Sequence, residues 1–255
     1  MATNHTYVIC AYGDSPYLLD CIRSLKAQTL QSEIILYTST PSDYIYRICE
    51  TEAIPVFTRQ GGGIGKDWNN ALSFVKTRYA TIAHQDDVYL PEYGQKVLSQ
   101  AREDSLILYS DYAELKDSVE IPANTNLHIK RLMLRCLAMF PQVKWWRYRI
   151  LAFGNPICCP AVTYDLKNVT DFQFDEQLKV SLDWYAWYQI SQRQGLFEYI
   201  SEPLMFHRIH EESETTNNIE NNNRTAEDYF MYKLFWPKWF AKLLLRYYVK
   251  SQETN

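Results

Sequence analysis

Over the first hundred residues, short apolar runs alternate with stretches in which apolar residues recur every three or four positions. The runs at 6–12 (TYVICAY), 33–37 (EIILY), 54–57 (IPVF), 79–83 (YATIA) and 105–109 (SLILY) have the length and continuity of buried strands. Between them, 16–28 reads as a helix: Leu18, Leu19, Ile22 and Leu25 share one face, and Ser15 stands before Pro16 as an N-cap. The stretches 42–52, 66–77 and 91–101 read the same way, the last opened by Pro91, and a glycine-rich loop fills 61–65. This alternation predicts an α/β fold with a mostly parallel central sheet covered by helices on both faces. Ligands of such sheets bind beyond the C-terminal strand ends. Three ends therefore matter: Ala11-Tyr12-Gly13, Tyr37-Thr38-Ser39 and His84-Gln85-Asp86-Asp87.

The second half is less regular, and its charge is segregated. Residues 121–164 hold six basic residues (Lys130, Arg131, Arg135, Lys144, Arg147, Arg149) and no acid. Residues 229–250 hold five more (Lys233, Lys238, Lys242, Arg246, Lys250), again without an acid. The whole chain still carries a net charge of −4, which argues against a dedicated nucleic-acid binder. Both basic segments are rich in aromatic and aliphatic residues, in KWWRYRI (144–150) and FMYKLFWPKWFAKLLLRYY (230–248). That mixture suits a helix lying in the plane of a membrane interface, so an anionic membrane surface is an expected partner. The bland alternative is an amphipathic helix packed on the domain with its basic side outward.

A chain of 255 residues, 47% of them hydrophobic, can bury one core with an appendage, and disorder is excluded for most of it. The apolar-poor stretch SETTNNIENNN (213–223) predicts a flexible loop. The opening MATNHTYVICAY lacks a basic run followed by an apolar one, so no secretory signal is expected. No uncharged apolar stretch is long enough to span a bilayer. The six cysteines are irregularly spaced and form no Cys-x-x-Cys, which predicts reduced structural thiols in a cytoplasmic protein rather than a zinc site.

Asp86-Asp87 is the strongest chemical signal. Two adjacent carboxylates at the end of a buried strand are costly unless something compensates, and a divalent cation with its phosphate ligand would do so. The alternative is a cap for the helix opened by Pro91. The loop Gly61-Gly62-Gly63-Ile64-Gly65-Lys66 follows a strand and opens a helix, so its N–H groups could meet an anion; a flexible turn explains it equally well. Asp183, between Leu182 and Trp184 near a helix start, reads either as a dipole partner or as a base with a raised pKa. His207 and His210 flank Arg208 and Ile209, two imidazoles close in the chain that could serve a metal or a phosphate, or be simply a structural pair.

Taken in order, these pieces resemble the family-2 glycosyltransferases of the GT-A fold, a Rossmann-like nucleotide-diphospho-sugar transferase architecture. Leu19, Ser24-Leu25 and Gln28-Thr29 follow the first strand as in "L..cl.Sl..Qt", and Glu33-Ile34-Ile35 is similar to "EiiivD". Trp68-Asn69-Asn70-Ala71-Leu72 is similar to "aRN.al", and residues 79–87 to "yi.flD.DD". Phe174-Asp175-Glu176-Gln177-Leu178 is similar to "FDE.l", Leu182-Asp183-Trp184 to the "eD" motif, and His207-Arg208-Ile209-His210 to "yR.H". The resemblance runs from about residue 6 to 213, and is greatest to bacterial members that build cell-surface polysaccharides.

It implies an inverting transferase using Mg²⁺ or Mn²⁺, with Asp86, Asp87 and His210 at the metal and Asp87 the foremost direct ligand. It implies Asp183 as the base that deprotonates the acceptor hydroxyl. Ala11, Tyr12, Ser39, Asn69, Asp86 and Arg208 are implied around a nucleotide-sugar donor, UDP-linked by preference. The implied acceptor is a saccharide or a lipid-linked saccharide, and the basic aromatic segments add the expectation of a cytoplasmic enzyme, peripheral on the inner face of the plasma membrane. Residues 1–212 are then the transferase domain, split at 110 into donor and acceptor halves, with a polar loop at 213–224 and a basic aromatic helical extension at 225–255. The chain departs from the pattern at four places. No acid follows the second strand until Asp43, Gly13 replaces Asn, His84 replaces the first Asp of "D.DD", and Leu182 replaces the Glu of "ED". Two other readings compete: a nucleotidyltransferase on a similar sheet, disfavoured because the glycine-rich loop does not follow the first strand, and a non-catalytic sugar- or nucleotide-binding relative.

Overall fold

The computed structural model describes residues 4–210 and 223–253. Its first half follows the alternation: β1 (His5–Ala11), α1 (Leu18–Lys26), β2 (Glu33–Thr38), α2 (Asp43–Thr51), β3 (Val56–Thr58), α3 (Ile64–Ser73), β4 (Tyr79–His84) and the short β5 (Val88–Tyr89). Then come α4 (Tyr93–Ser99), β6 (Ser105–Lys116), β7 (Val119–Ile121), α5 (Thr125–Met139) and α6 (Lys144–Leu151). The chain continues through β8 (Val162–Asp165), α7 (Leu182–Ser191) and β9 (Leu196–Arg208), and ends in α8 (Asn223–Phe235) and α9 (Lys238–Glu253).

The strands form one sheet in the order β3-β2-β1-β4-β8-β6-β9-β5, with β7 hairpinned onto β6. β3, β2, β1 and β4 run parallel, and β6 and β9 form a second parallel pair. β8 lies antiparallel between β4 and β6, and β5 antiparallel on β9. The expected α/β architecture is present. β1 has β2 on one side and β4 on the other, so the chain reverses its direction of winding there, and in sheets of this kind the crevice for ligands lies beyond the ends of two such strands.

The two-residue period of the strands divides the core between the sheet's faces. On β1, Tyr7, Ile9 and Ala11 join Leu18, Ile22 and Leu25 of α1, whereas Val8 joins Trp68, Trp184, Trp187 and Phe197 on the other face. Met231, Tyr232, Phe235 and Ala241 belong to this second cluster, so the start of the expected C-terminal extension is packed into the domain. The polar loop expected at 213–224 lies, but for its last two residues, outside the described residues.

The glycine run is accounted for by packing. Gly63 precedes α3 at φ 106°, and a Cβ on Gly65 would come 2.3 Å from the Asp175 carbonyl oxygen. One residue of the first basic segment is not on the surface. Arg147 is fully buried and donates to the carbonyl oxygens of Pro141, Ser191, Arg193 and Gly195 at 2.6–3.2 Å, tying α6 to the end of α7. All six cysteines are free. Among the described residues, no helix is long and apolar enough to cross a membrane.

Candidate active site

The end of β4 carries His84, and the turn after it carries Asp86 and Asp87. β5 pairs with β9 so that Val88 lies opposite Phe206 and Tyr89 opposite Met205. Continued by one residue, this register sets Asp87 beside His207. Asp87 is fully buried; its Oδ1 accepts the Arg208 backbone N–H at 3.0 Å and lies 3.0 Å from His207 Nδ1. Burial alone would lower the His207 pKa, but the charge and hydrogen bond of Asp87 outweigh it and raise it to about 9. Asp86 stays more accessible, and its Oδ2 lies 2.9 Å from His210 Nε2. Burial would raise the Asp86 pKa, yet that bond and the charges of His84 and His207 hold it below the ordinary value.

His84, Asp86 and Asp87 each offer a ligand atom, all within 4.8 Å of one another. Asp87 Oδ2 and His84 Nε2 are buried with no hydrogen-bond partner among the described residues. An orphaned buried carboxylate oxygen is costly, and a divalent cation at Asp87 Oδ2, which lies 3.9 Å from His84 Nδ1, would satisfy it, so the residues fit the metal that the sequence led one to expect. His84 joins the two expected carboxylates in this group, stacked on Trp68 with ring centroids 5.2 Å apart, and His210, also expected at the metal, lies against Asp86. Asp87 has only Oδ2 left to offer, because Oδ1 is engaged by β9.

Of the residues expected around the donor, Ala11 and Tyr12 end β1 in the crevice. The Tyr12 backbone is bracketed by the Gln85 side chain through two bonds of 3.1 and 2.9 Å, which leaves its ring 65% exposed. Ser39 donates to Asp67 at 2.8 Å, and Tyr37 donates to the same carboxylate at 3.2 Å. Thr40 Oγ1 accepts the Gly13 N–H at 2.8 Å, so hydroxyls fill the place after β2 where an acid was missed. Asn69 does not present a free amide: both of its ends bond the backbone of Phe174, at 2.8 and 2.9 Å. The Arg208 guanidinium lies 4.3 Å over Tyr17 and donates to the Asp86 carbonyl, which makes it a brace for the turn.

Asp183 occupies the first turn of α7 and is partly exposed. Its Oδ1 accepts the Trp184 N–H at 2.7 Å, and its Oδ2 accepts Asn155 Nδ2 at 2.7 Å. Burial still dominates and raises its pKa above the ordinary Asp value. Lys130, whose Nζ donates to the Tyr112 hydroxyl at 3.1 Å, carries a charge that opposes this rise. The loop leading into α7 is clamped by α8: the Glu227 carboxylate accepts the N–H groups of Lys179, Val180 and Ser181 at 2.8–2.9 Å, and Asp228 accepts the Ser181 hydroxyl.

The model of glycosyl transferase family 2 matches residues 6–150, more than half of the chain. The chain belongs to that family. An uncharacterized glycosyltransferase of Rickettsia typhi is 24% identical over 246 residues, which is 92% of this chain and 71% of the relative. Among solved structures, Staphylococcus aureus TarS 1–349 in complex with UDP-GlcNAc superposes with TM-score 0.64 at 15% identity, covering 96% of this chain and 70% of that one. A mannosyltransferase from Pyrobaculum calidifontis in complex with GDP-Man and Mn²⁺ superposes with TM-score 0.63 at 11% identity and the same coverage. These likenesses establish the GT-A fold, and the family makes this glycosyltransferase an enzyme rather than a binding module. Membership also sets aside the nucleotidyltransferase reading. His84, Asn155, Lys130 and Glu227 went unassigned in the sequence, and only the replaced Asp at His84 gave any signal for them.

Proposed function

We propose that this glycosyltransferase moves a sugar from a nucleotide-sugar, UDP-linked by preference, to a lipid-linked saccharide during assembly of a cell-surface polysaccharide. It works at the cytoplasmic face of the membrane and inverts the anomeric centre. The observation that carries the reading is the His84–Asp86–Asp87 group at the end of β4, whose ligand atoms all lie within 4.8 Å of one another.

Ionised Asp183 accepts the proton of the acceptor hydroxyl, and Asn155 and the Trp184 N–H hold the carboxylate in place. The acceptor oxygen bonds to the anomeric carbon as the bond from that carbon to the diphosphate oxygen breaks. The electron pair leaves with the nucleoside diphosphate, and one displacement gives inversion. A divalent cation held by His84, Asp86 and Asp87 would neutralise charge on the diphosphate. The exposed Tyr12 ring offers a stacking surface for the nucleobase. Support also comes from the UDP-GlcNAc bound by one structural neighbour and the GDP-Man and Mn²⁺ bound by the other.

Thermal unfolding with UDP-, GDP-, CMP- and dTDP-linked sugars, with and without Mn²⁺, tests this. One nucleotide class should stabilise the fold in a metal-dependent way, by about 2.7 kcal/mol at a hundredfold excess over Kd. Asp86→Ala should abolish the effect; Asp183→Ala should keep it and lose turnover. Silence across the panel, or turnover that survives Asp183→Ala, would overturn the proposal.

A further inference from the structure

The two basic aromatic segments, far apart in sequence, form one face of the folded chain. α6 supplies Trp145, the turn after it Phe153, and α9 Trp239 and Leu243, which are 61%, 52%, 71% and 40% exposed. Ring contacts join them without a break. Arg149 lies 5.6 Å from the Trp145 ring and 5.4 Å from the Trp236 ring. Trp236 packs 5.5 Å from Phe153 and 4.8 Å from Phe240, which packs 5.4 Å from Trp239. Trp236 Nε1 donates to the Ala152 carbonyl at 2.7 Å and fixes the start of α9 on the end of α6.

The charge around these rings has one sign. Lys144, Lys238, Lys242 and Arg246 are exposed, and the segments 122–164 and 229–250 contain no Asp or Glu. Two tryptophans and a phenylalanine left in water are an unusual apolar exposure. Rings framed by ammonium and guanidinium groups match one environment in both respects: the headgroup region of an anionic bilayer, where rings sit at the boundary and cations meet phosphates.

We infer that the face built by α6, the turn after it and α9 docks on an anionic lipid bilayer. The face adjoins the base. Phe153 belongs to the same turn as Asn155, which holds Asp183, and Trp184 Nε1 donates to the Leu151 carbonyl at the end of α6. Docking therefore sets Asp183 next to the bilayer, where the head of a lipid-linked acceptor stands; this last step rests on the acceptor proposed above, whereas the docking itself does not.

Co-sedimentation of the full chain with vesicles tests it, comparing mixed phosphatidylglycerol–phosphatidylcholine with phosphatidylcholine alone. Binding should need the anionic lipid and weaken with salt. Trp145→Ser with Trp239→Ser, and separately Lys238→Glu with Lys242→Glu and Arg246→Glu, should each lower it by about tenfold or more. Circular dichroism and thermal unfolding establish that the variants fold. Quenching of tryptophan fluorescence by brominated lipid should fall in the double Trp variant. The inference is overturned if wild type ignores anionic vesicles at low salt, or if both variants bind as wild type does. It is equally overturned if the face instead joins two copies of the chain, seen as a dimer in sedimentation that the Trp variant dissociates. Nucleotide-sugar stabilisation, read without vesicles, should be the same in all variants; its absence alongside intact vesicle binding would sink the donor reading and leave the docking face standing.

Discussion

Asn155→Leu isolates the contact that tunes the proposed base. Asp183 acts when ionised, so turnover is present above its pKa and is lost as pH falls through it. Burial raises that pKa, and the 2.7 Å bond from Asn155 Nδ2, like that from the Trp184 N–H, opposes the rise by favouring the charged form. A hydrogen bond to a charged group is worth about 1.5–3 kcal/mol, and about 1.4 kcal/mol corresponds to one pH unit. Leucine keeps most of the volume and removes the donor. The acid limb of kcat/KM against pH should therefore move upward by about one to two pH units. Near the foot of the profile the rate should fall about tenfold or more, while the plateau at high pH loses less. The assay follows nucleoside diphosphate release across the pH range with the donor found by the unfolding panel. A limb that stays in place, or moves down, refutes the role given to Asn155 and, with it, Asp183 as the titrating base.

Three further outcomes follow from the same geometry. With His84 adding an imidazole to two carboxylates, donor stabilisation should be stronger with Mn²⁺ or Co²⁺ than with Mg²⁺, and His84→Asp should narrow that gap; equal responses in wild type would exclude His84 as a ligand. Glu227→Gln leaves one oxygen for three backbone N–H groups, so chemical denaturation should report a loss of about 1–3 kcal/mol, with kcat falling more than donor affinity. Arg147→Met takes the guanidinium donor from the Ser191, Arg193 and Gly195 carbonyl oxygens, the Pro141 oxygen keeping the Phe197 N–H, and should cost about 3 kcal/mol or more, although the residue lies in a segment that reads as surface; a midpoint unchanged in urea would contradict the packing described.

Much of this protein is legible along the chain because the relevant forces are local. Strands β1 to β4 and helices α1 to α4 follow from apolar period, although α1 begins at Leu18 without the expected Ser15 cap, and short apolar strands between helices require a sheet covered on both faces. Asp86, Asp87 and Asp183 are visible because carboxylates beside apolar residues violate the ordinary pattern, and such violations mark sites.

What the sequence leaves open depends on partners distant in the chain. The antiparallel β8 between β4 and β6, and the continuation of β6 to Lys116, are set by which edges remain to be paired after the first four strands assemble. Register alone brings His207 to Asp87, a pairing across 120 positions that gives Asp87 its buried place and leaves His84 and Asp86 to the crevice. Asn155 reaches Asp183 only because α6 and α7 pack together, and Glu227 reaches the loop before α7 only because α8 folds back onto the core. Arg147 counts as a surface cation until four carbonyl oxygens at the end of α7 and its neighbours offer it an interior site. Composition and period determined the elements and the reactive groups. Tertiary packing alone decided which of those groups meet, because hydrogen bonds and charges act over a few ångströms whatever the separation along the chain.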